Sequence, residues 1–391
     1  MKAFEIDWWP KRVICGQGSL RELAHLAREL GRKRALVVCG RSVAKNGVLV
    51  AVKEQLGDLL VGVFAEVEMH APLPVLERGA VLAHEIKADL VVSIGGGSAI
   101  DSGKGICLIH HVGDDYLAYA LKPGAKAGAD AAPLPSHLKL AHIAIPSTAG
   151  SGSEVSPTCG LRDPALGHKR IFRNERLIPD VAILDPEVAI GTPALLIACS
   201  GMTAVARCIE ALYSGRRNPF RSALALHALQ MLTRYLPQSI ASPRDLEARG
   251  SCLVASAMSA VAANVNTSAV HAIGHVVGGQ FGLQHGVPHA ILLSSGMRLM
   301  LPSIGEEQKL LLRALGEMPD GMTADQAGQR AADLIASFVA RLPMPQKLRD
   351  AGVDRNALAA LAEHASRDPI LLSSGADLSA ERIRGLLEQA Y

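Results

Sequence analysis

Four histidines in one short segment are the residues of this chain best suited to chemistry. His271 and His275 are four residues apart, and His285 and His289 follow shortly after, so four of the chain's 14 histidines lie here. Residues at this spacing share one face of a helix, which lets two imidazoles reach the same metal ion or substrate. His285 can close on them from the next turn or loop. Isolated structural histidines are the alternative, and the clustering argues against it.

A glycine-rich loop is a second candidate site, suited to an anion. It reads GGGSAIDSGK, follows an apolar run and opens a helix. Glycines let the backbone approach a ligand closely, and a helix N-terminus presents free N–H groups and a positive dipole end, which suits a pyrophosphate. The spacing matches neither GxGxxG nor the Walker sequence; a plain tight turn is the alternative, which Asp101 and Lys104 argue against. The loop residues are Gly95, Gly96, Gly97 and Ser98.

A second polar loop, PSTAGSGSE, follows a later apolar run and contains Ser147, Thr148 and Ser151. Hydroxyl groups and glycines at the carboxyl end of a strand suit a ligand crevice in an open α/β sheet. An ordinary serine-rich loop is the alternative.

The elements that must position these loops alternate along the first half of the chain. Short apolar runs predict strands at 35–40, 61–67, 89–94, 141–145 and 181–184, and residues 74–87 have the spacing of a helix. Such alternation predicts parallel βαβ units with helices on both faces. Residues 120–136, rich in Ala, Gly, Pro and Lys, predict a surface loop.

The second half has a different pattern. After Thr192–Pro193 the strand patterns stop, and Ala- and Leu-rich segments such as 224–236 and 324–341 have a helical period. We therefore predict two domains: an α/β domain with a parallel sheet over residues 1–187, and an all-α domain over residues 188–391 that carries the histidines.

Composition excludes several classes of protein. Apolar residues make up 49% of the chain, and 40 Lys and Arg face 37 Asp and Glu, which is too balanced for a nucleic-acid or anionic-membrane partner. The seven cysteines are scattered without CxxC, so they form neither a disulfide framework nor a zinc finger. The charged N-terminus does not resemble a signal peptide, and no run approaches the ~20 apolar residues of a membrane span. We expect a soluble, cytoplasmic protein.

The motifs GGGSAIDSGK, PSTAGSGSE and HAIGH…GG…QHG, in this order, resemble the iron-containing (group III) alcohol dehydrogenases. That superfamily includes maleylacetate reductases, glycerol dehydrogenases and dehydroquinate synthases. The resemblance covers nearly the whole chain. It implies a dehydroquinate synthase-like fold, with a dinucleotide-binding domain before a helical domain, an active site between them, and a homodimer. The resemblance and the segment after the first predicted strand together give the candidate cofactor-binding residues. These are Gly40, Arg41, Ser42, Gly95, Gly96, Gly97, Ser98, Asp101, Ser147, Thr148, Ser151 and Lys169.

One departure from the family pattern concerns the metal. Metal-dependent members use an Asp and a His on a GMDAxxHxxE helix and two later histidines, but here Thr203 and Arg207 replace the first two ligands. The later positions are His271 and His285, and His275 stands where the family keeps a substrate-side histidine. Two imidazoles without a carboxylate bind a divalent ion poorly, and Arg207 would repel it. We predict no catalytic metal; zinc held by His271, His275 and His285 is the alternative.

Without a metal, another group must stabilise the developing alkoxide during hydride transfer. We expect Arg207 to supply that charge, or to clamp a substrate carboxylate, and one of the histidines, His275 before His271, to donate the proton. NAD-preferring relatives carry an Asp after the first strand, whereas Gly40, Arg41 and Ser42 stand here, which favours NADP(H) over NAD(H).

The sequence therefore predicts an NAD(P)-dependent oxidoreductase that interconverts an alcohol and an aldehyde, ketone or oxo acid without a metal. Two alternatives stay open: a metal-dependent alcohol dehydrogenase with a rearranged histidine site, and a catalytically silent nucleotide-binding homologue. A lyase or cyclase that uses the dinucleotide transiently is less favoured, because such synthases need the metal.

Overall fold

The computed structural model of the chain describes residues 11–121, 133–134, 138–166, 168–215, 217–263, 269–368, 371 and 378–391. The chain divides into two compact units, one ending at Thr192 and the other beginning at Pro193. The boundary thus lies slightly after the predicted position between 187 and 188. The reason is that the 3₁₀ turn Pro186–Ala189 continues from the last strand, and the Thr192 hydroxyl donates a 2.8 Å hydrogen bond to the Ser147 carbonyl.

A six-stranded parallel sheet forms the centre of the first unit, with strand order β1-β8-β5-β4-β2-β3. A separate antiparallel hairpin is formed by β6 and β7. The strands are β1 Val13–Cys15, β2 Ala35–Gly40, β3 Leu60–Val67, β4 Leu90–Gly95, β5 Ala141–Pro146, β6 Thr158–Asp163, β7 His168–Arg173 and β8 Val181–Leu184.

Helices cover both faces of this sheet. They are α1 Leu23–Glu29, α2 Arg41–Ala44, α3 Gly47–Leu56, α4 Leu73–Glu85 and α5 Gly97–Val112. Successive residues of β2 enter opposite layers: Leu36 and Val38 pack with residues of α4 and α5, whereas Val37 and Cys39 pack with residues of α1 and α3. A strand buried on both sides has a near-continuous apolar run, and this is why β2, β4 and β5 were predictable.

Two elements of the first unit were not predicted. The strand β1 has only three residues, and the hairpin of β6 and β7 is rich in Arg and Lys, so neither gives the apolar run of a buried strand. Most of the predicted surface loop at 120–136 lies outside the described residues.

The regular elements among the described residues of the second unit are all helices, as predicted. Its helices are α6 Ala194–Tyr213, α7 Pro219–Ala241, α8 Leu246–Ala263, α9 Ala269–Phe281, α10 Gly286–Met300, α11 Glu307–Ala314, α12 Ala324–Ala340, α13 Leu358–Ser366 and α14 Ala380–Ala390. The helix α6 packs against α7, α8 and α10.

By length and composition, α6 is apolar enough to cross a membrane, so the expectation that no run approaches this length was wrong. However, 83% of its most apolar window is buried inside the fold. A core helix passes the same test, and the finding is therefore weak support for a membrane span.

Candidate functional site

The predicted cofactor loops meet at one edge of the parallel sheet. Residues Cys39 and Ile94 are paired in β2 and β4, and Gly95 and Pro146 are paired in β4 and β5, so the segments after these strands are neighbours. The chain places β3 on one side of β2 and β4 on the other, which is a reversal of strand order. Open α/β sheets bind ligands at the carboxyl ends of strands beside such a reversal.

The glycine loop lies directly against the hydroxyl loop. A Cβ atom at Gly97 would lie 2.7 Å from Cβ of Ser151, and one at Gly96 would lie 3.2 Å from Oγ1 of Thr148. The φ angle of Gly95 is +140°, which side chains rarely adopt. No described side chain caps the N-terminus of α5. The N-terminus of α5 therefore has no side-chain cap and lies beside two closely packed loops. A pyrophosphate site requires such an arrangement.

Asp101 and Lys104 form hydrogen bonds with residues 153–160, next to these loops. The Asp101 carboxylate accepts hydrogen bonds from the Ser153 hydroxyl and from the Gly160 amide at 3.1 Å. The fully buried Lys104 donates from Nζ to the carbonyls of Ser156 (2.7 Å) and Thr158 (2.9 Å). Burial lowers the pKa of Lys104, against the opposing effect of Asp101. The structure thus gives both residues a positioning role that the motif alone did not indicate.

The remaining predicted cofactor residues lie in three places. Arg41 and Ser42 are exposed in the first turn of α2, directly after β2. Lys169 is exposed and extends past Gly160 on the neighbouring strand of the hairpin. The Ser98 hydroxyl accepts a hydrogen bond from the His70 amide at 3.0 Å.

In the helical unit, the four histidines form one cluster of rings. The ring centroids are 4.1 Å apart for His271 and His289, 4.5 Å for His285 and His289, and 4.9 Å for His275 and His285. His289 was not assigned a role from the sequence. Its spacing of four from His285, the same as that between His271 and His275, was the signal that could have found it.

Glu210 of α6 orients His271. Its carboxylate accepts a hydrogen bond from Nδ1 of His271 and also from the backbone amides of Val270 (2.9 Å) and His271 (3.2 Å). The bond assigns the proton to Nδ1. The buried Nε2 atom of His271 and both ring nitrogens of His289 have no hydrogen-bond partner in the described chain.

Both of these rings are neutral near pH 7. Burial lowers the pKa of His271 well below its usual value, and the charge of Arg207 lowers it further. Burial likewise lowers the pKa of His289, with smaller effects from its charged neighbours. Neutral rings offer lone pairs to a ligand but cannot themselves supply positive charge.

The positive charge of this cluster belongs to Arg207. This side chain is 9% exposed and donates from an Nη atom to the Ser259 hydroxyl of α8 at 3.2 Å. One turn earlier, the Thr203 hydroxyl donates to the Cys199 carbonyl of its own helix at 3.3 Å. The family resemblance implies an Asp and a His ligand at two positions of α6. The chain instead has Thr203, whose hydroxyl is bonded within its own helix, and the cation Arg207. The family's four-ligand set does not fit a divalent ion here.

A different trio of histidines comes together instead. One ligand nitrogen each from His271, His285 and His289 lies within 4.8 Å of the others. The predicted alternative trio contained His275, so the structure corrects it by placing His289 in the group. A close helix contact positions the segment: a Cβ at Gly286 would lie 1.6 Å from the Cys199 carbonyl oxygen, so only glycine lets α10 begin beside α6.

Comparison with known proteins gives matches along the whole chain. The iron-containing alcohol dehydrogenase model matches residues 10–186, and the C-terminal model of the Fe-containing alcohol dehydrogenase family matches residues 197–391. The 1,3-propanediol dehydrogenase of Citrobacter freundii is 31% identical over 388 residues, covering 98% of this chain and 97% of that protein. Maleylacetate reductase of Rhizobium sp. strain MTP-10005 is 32% identical over 392 residues, covering 100% and 98%. A solved structure of 1,3-propanediol oxidoreductase has a TM-score of 0.92 at 29% identity, covering 99% of this chain and 100% of that one.

Proposed function

Since this chain belongs to the iron-containing alcohol dehydrogenase family, we propose that it is an NADP(H)-dependent enzyme that interconverts an alcohol and an aldehyde, ketone or oxo acid without a catalytic metal ion. The family and its relatives are alcohol dehydrogenases and reductases, so the chain is an oxidoreductase of that kind. The cofactor preference and the metal-free chemistry are the new parts of the proposal.

The observation that carries the metal-free chemistry is the buried guanidinium of Arg207 among the histidines. When bound, the dihydronicotinamide supplies a hydride to the carbonyl carbon, and negative charge develops on the substrate oxygen. A fixed positive charge in a site of low dielectric constant stabilises that oxygen, which is usually a large part of catalysis. Arg207 would supply this charge permanently, or would pair with a carboxylate of the substrate.

The proton that the alkoxide needs would come from a histidine and not from Arg207. His275 lies one turn after His271 on α9, and its ring is 4.9 Å from that of His285. We assign to a ring nitrogen of His275 the transfer of the proton to the alkoxide. Glu210 and His271 would hold the cluster in a single orientation.

The preference for NADP(H) is supported by the end of β2. A carboxylate there would bond the ribose hydroxyls and repel a 2′-phosphate, whereas the exposed Arg41 and Ser42 occupy this position. A guanidinium matches the geometry of a phosphate group.

The test is NADPH oxidation across a panel of aldehydes, ketones and oxo acids, in paired reactions with and without EDTA. Turnover that survives chelation is expected. Binding of NADPH without turnover of any carbonyl would instead identify a silent homologue.

A second candidate is a metal-dependent enzyme with a rearranged site. The grouped nitrogens of His271, His285 and His289 favour it, since Nε2 of His271 and both ring nitrogens of His289 lack hydrogen-bond partners among the described residues. A His₃ set suits zinc, which would supply Lewis-acid chemistry. This candidate predicts that EDTA abolishes turnover, that zinc restores it, and that His289→Asn prevents the restoration.

We also propose a cytoplasmic location and a homodimeric assembly with a small-molecule substrate. All seven cysteines are free and six of them are buried, which suits a reducing compartment. Cell fractionation and the mass of the native protein in solution test these two points.

A further inference from the structure

A cavity lined by cationic side chains lies at the amino ends of the parallel strands, whereas the glycine loop lies at their carboxyl ends. Its volume is about 150 Å³, and it lies where β5 and β8 begin. Among its lining residues are Lys11 before β1, Arg32 after α1, and Arg176 in the turn before β8. Pockets for drug-sized ligands are typically about 300–1,000 Å³, so this cavity suits a small ion.

The charges of the lining residues are strongly unbalanced. Four cations, Lys11, Arg32, Lys104 and Arg176, face a single carboxylate, that of Asp180. That carboxylate already accepts hydrogen bonds from Lys11 Nζ at 2.8 Å and from the His142 amide at 2.9 Å. The cavity therefore has an excess of positive charge.

The other two titratable groups of the lining do not change the excess: burial raises the pKa of the Cys107 thiol, which keeps it neutral, and His142 is neutral as well. Burial lowers the pKa of His142 to about 3, and its Nε2 atom lies 2.6 Å from the Ser93 hydroxyl. The ammonium of Lys104 is held by the carbonyls of Ser156 and Thr158. The available cations are thus the two arginines, assisted by Lys11.

The arginines have donors without acceptors. Among the described residues, the buried Arg32 Nε has no hydrogen-bond partner, and an Nη atom of Arg32 reaches only the Lys139 carbonyl at 3.5 Å. The Arg176 guanidinium has no hydrogen-bond or ion-pair partner among the residues that the structure describes. Buried donors are nearly always satisfied in native proteins, so the buried Nε of Arg32 points to a missing acceptor, to which the exposed Arg176 can add further donors.

We propose that this cavity binds a small oxyanion of the phosphate class, either inorganic phosphate or the phosphate group of a small monoester. A dianion with several acceptor oxygens would neutralise the excess charge and satisfy guanidinium donors from two separate segments. The site is distinct from the glycine loop, because the two lie at opposite ends of the six-residue strand β5, roughly 20 Å apart.

The test is calorimetric titration of the full-length protein with inorganic phosphate, and in a second arm with glycerol phosphate, in the presence of saturating NADPH. The NADPH occupies the glycine loop and removes it as a competing phosphate site. The variants are Arg32→Gln and Arg176→Gln, with Arg12→Gln as the matched control. Arg12 adjoins Lys11 but pairs with Glu29, and it is not among the residues that line the cavity.

We expect saturable binding at one site per chain that weakens about tenfold or more in each cavity variant and less than twofold in Arg12→Gln. The arm that binds more tightly identifies the source of the phosphate group. Absence of saturable binding in both arms would overturn the proposal, as would equal affinity in wild type and both cavity variants. If NADPH fails to bind, the cavity variants still decide the question, because they leave the glycine loop unaltered.

Discussion

The carboxylate of Glu210 on α6 holds His271 at the start of α9 through both its ring and its backbone amide. The carboxylate of Glu210 accepts from the ring of His271, from its backbone amide and from the amide of Val270. The two side chains are almost fully buried, at 2% and 4% exposure. The start of α9 and the orientation of its first histidine therefore depend on one carboxylate of α6.

Replacing Glu210 should destabilise the protein. Glu210→Ala leaves a ring N–H and two backbone amides without their acceptor, and each unsatisfied buried donor costs about 1–3 kcal/mol. We expect the free energy of unfolding in urea to fall by roughly 3 kcal/mol or more. Glu210→Gln keeps an acceptor oxygen and should lose less. Equal losses in the two variants would contradict the hydrogen-bonding account.

Replacing Arg207 should affect catalysis far more than cofactor binding. Removing a fixed charge that faces developing negative charge typically lowers turnover about 100- to 1,000-fold. We expect a loss of this size in kcat/KM for Arg207→Gln, with the Kd for NADPH unchanged and partial recovery in Arg207→Lys. The exposed Arg313 offers a control of equal charge change. A normal rate in Arg207→Gln would refute the role proposed for this residue.

The cofactor preference depends on Arg41. We expect Arg41→Ala to raise KM for NADPH about tenfold or more, since a charge-assisted hydrogen bond contributes about 1.5–3 kcal/mol, and to leave KM for NADH unchanged. Lys33→Ala, at the other end of β2, is the matched control. A parallel rise for both cofactors would show that the variant disturbs the loop and not the contact with the 2′-phosphate.

Asp101 should affect cofactor binding through the loop it holds. Asp101→Asn weakens the bonds to Ser153 and Gly160, so we expect KM for NADPH to rise roughly tenfold while kcat changes little. Ser153→Ala removes one of the same bonds and should act in the same direction. A loss of thermal stability with KM unchanged would limit Asp101 to a structural role.

His142 predicts a pH dependence of stability. Its pKa is about 3 in the folded protein, lowered by burial, against an ordinary value of 6.5. Between these values the unfolded chain binds the proton and the folded chain does not, so stability falls as the pH decreases below 6.5. His142→Gln should flatten the acid side of the stability curve by about 1.4 kcal/mol per pH unit between pH 4 and 6, measured by urea unfolding. Identical slopes in the variant and wild type would contradict this assignment.

The sequence by itself determined the layered first unit, the helical second unit and the places where loops follow strands. The reason is that buried parallel strands have near-continuous apolar runs, which β2 has and from which β4 and β5 depart only at Ser93 and His142. It also determined the family, because three ordered motifs and their spacing are local properties of the chain.

Only the tertiary structure decided which side chains meet. The hairpin of β6 and β7 has no apolar run, yet it brings Gly160 to Asp101 and Thr158 to Lys104. His289 joins His271 only because α9 and α10 pack together. Such contacts join residues from separate elements. Their geometry depends on how the elements pack, and a local pattern of residue types does not predict that packing.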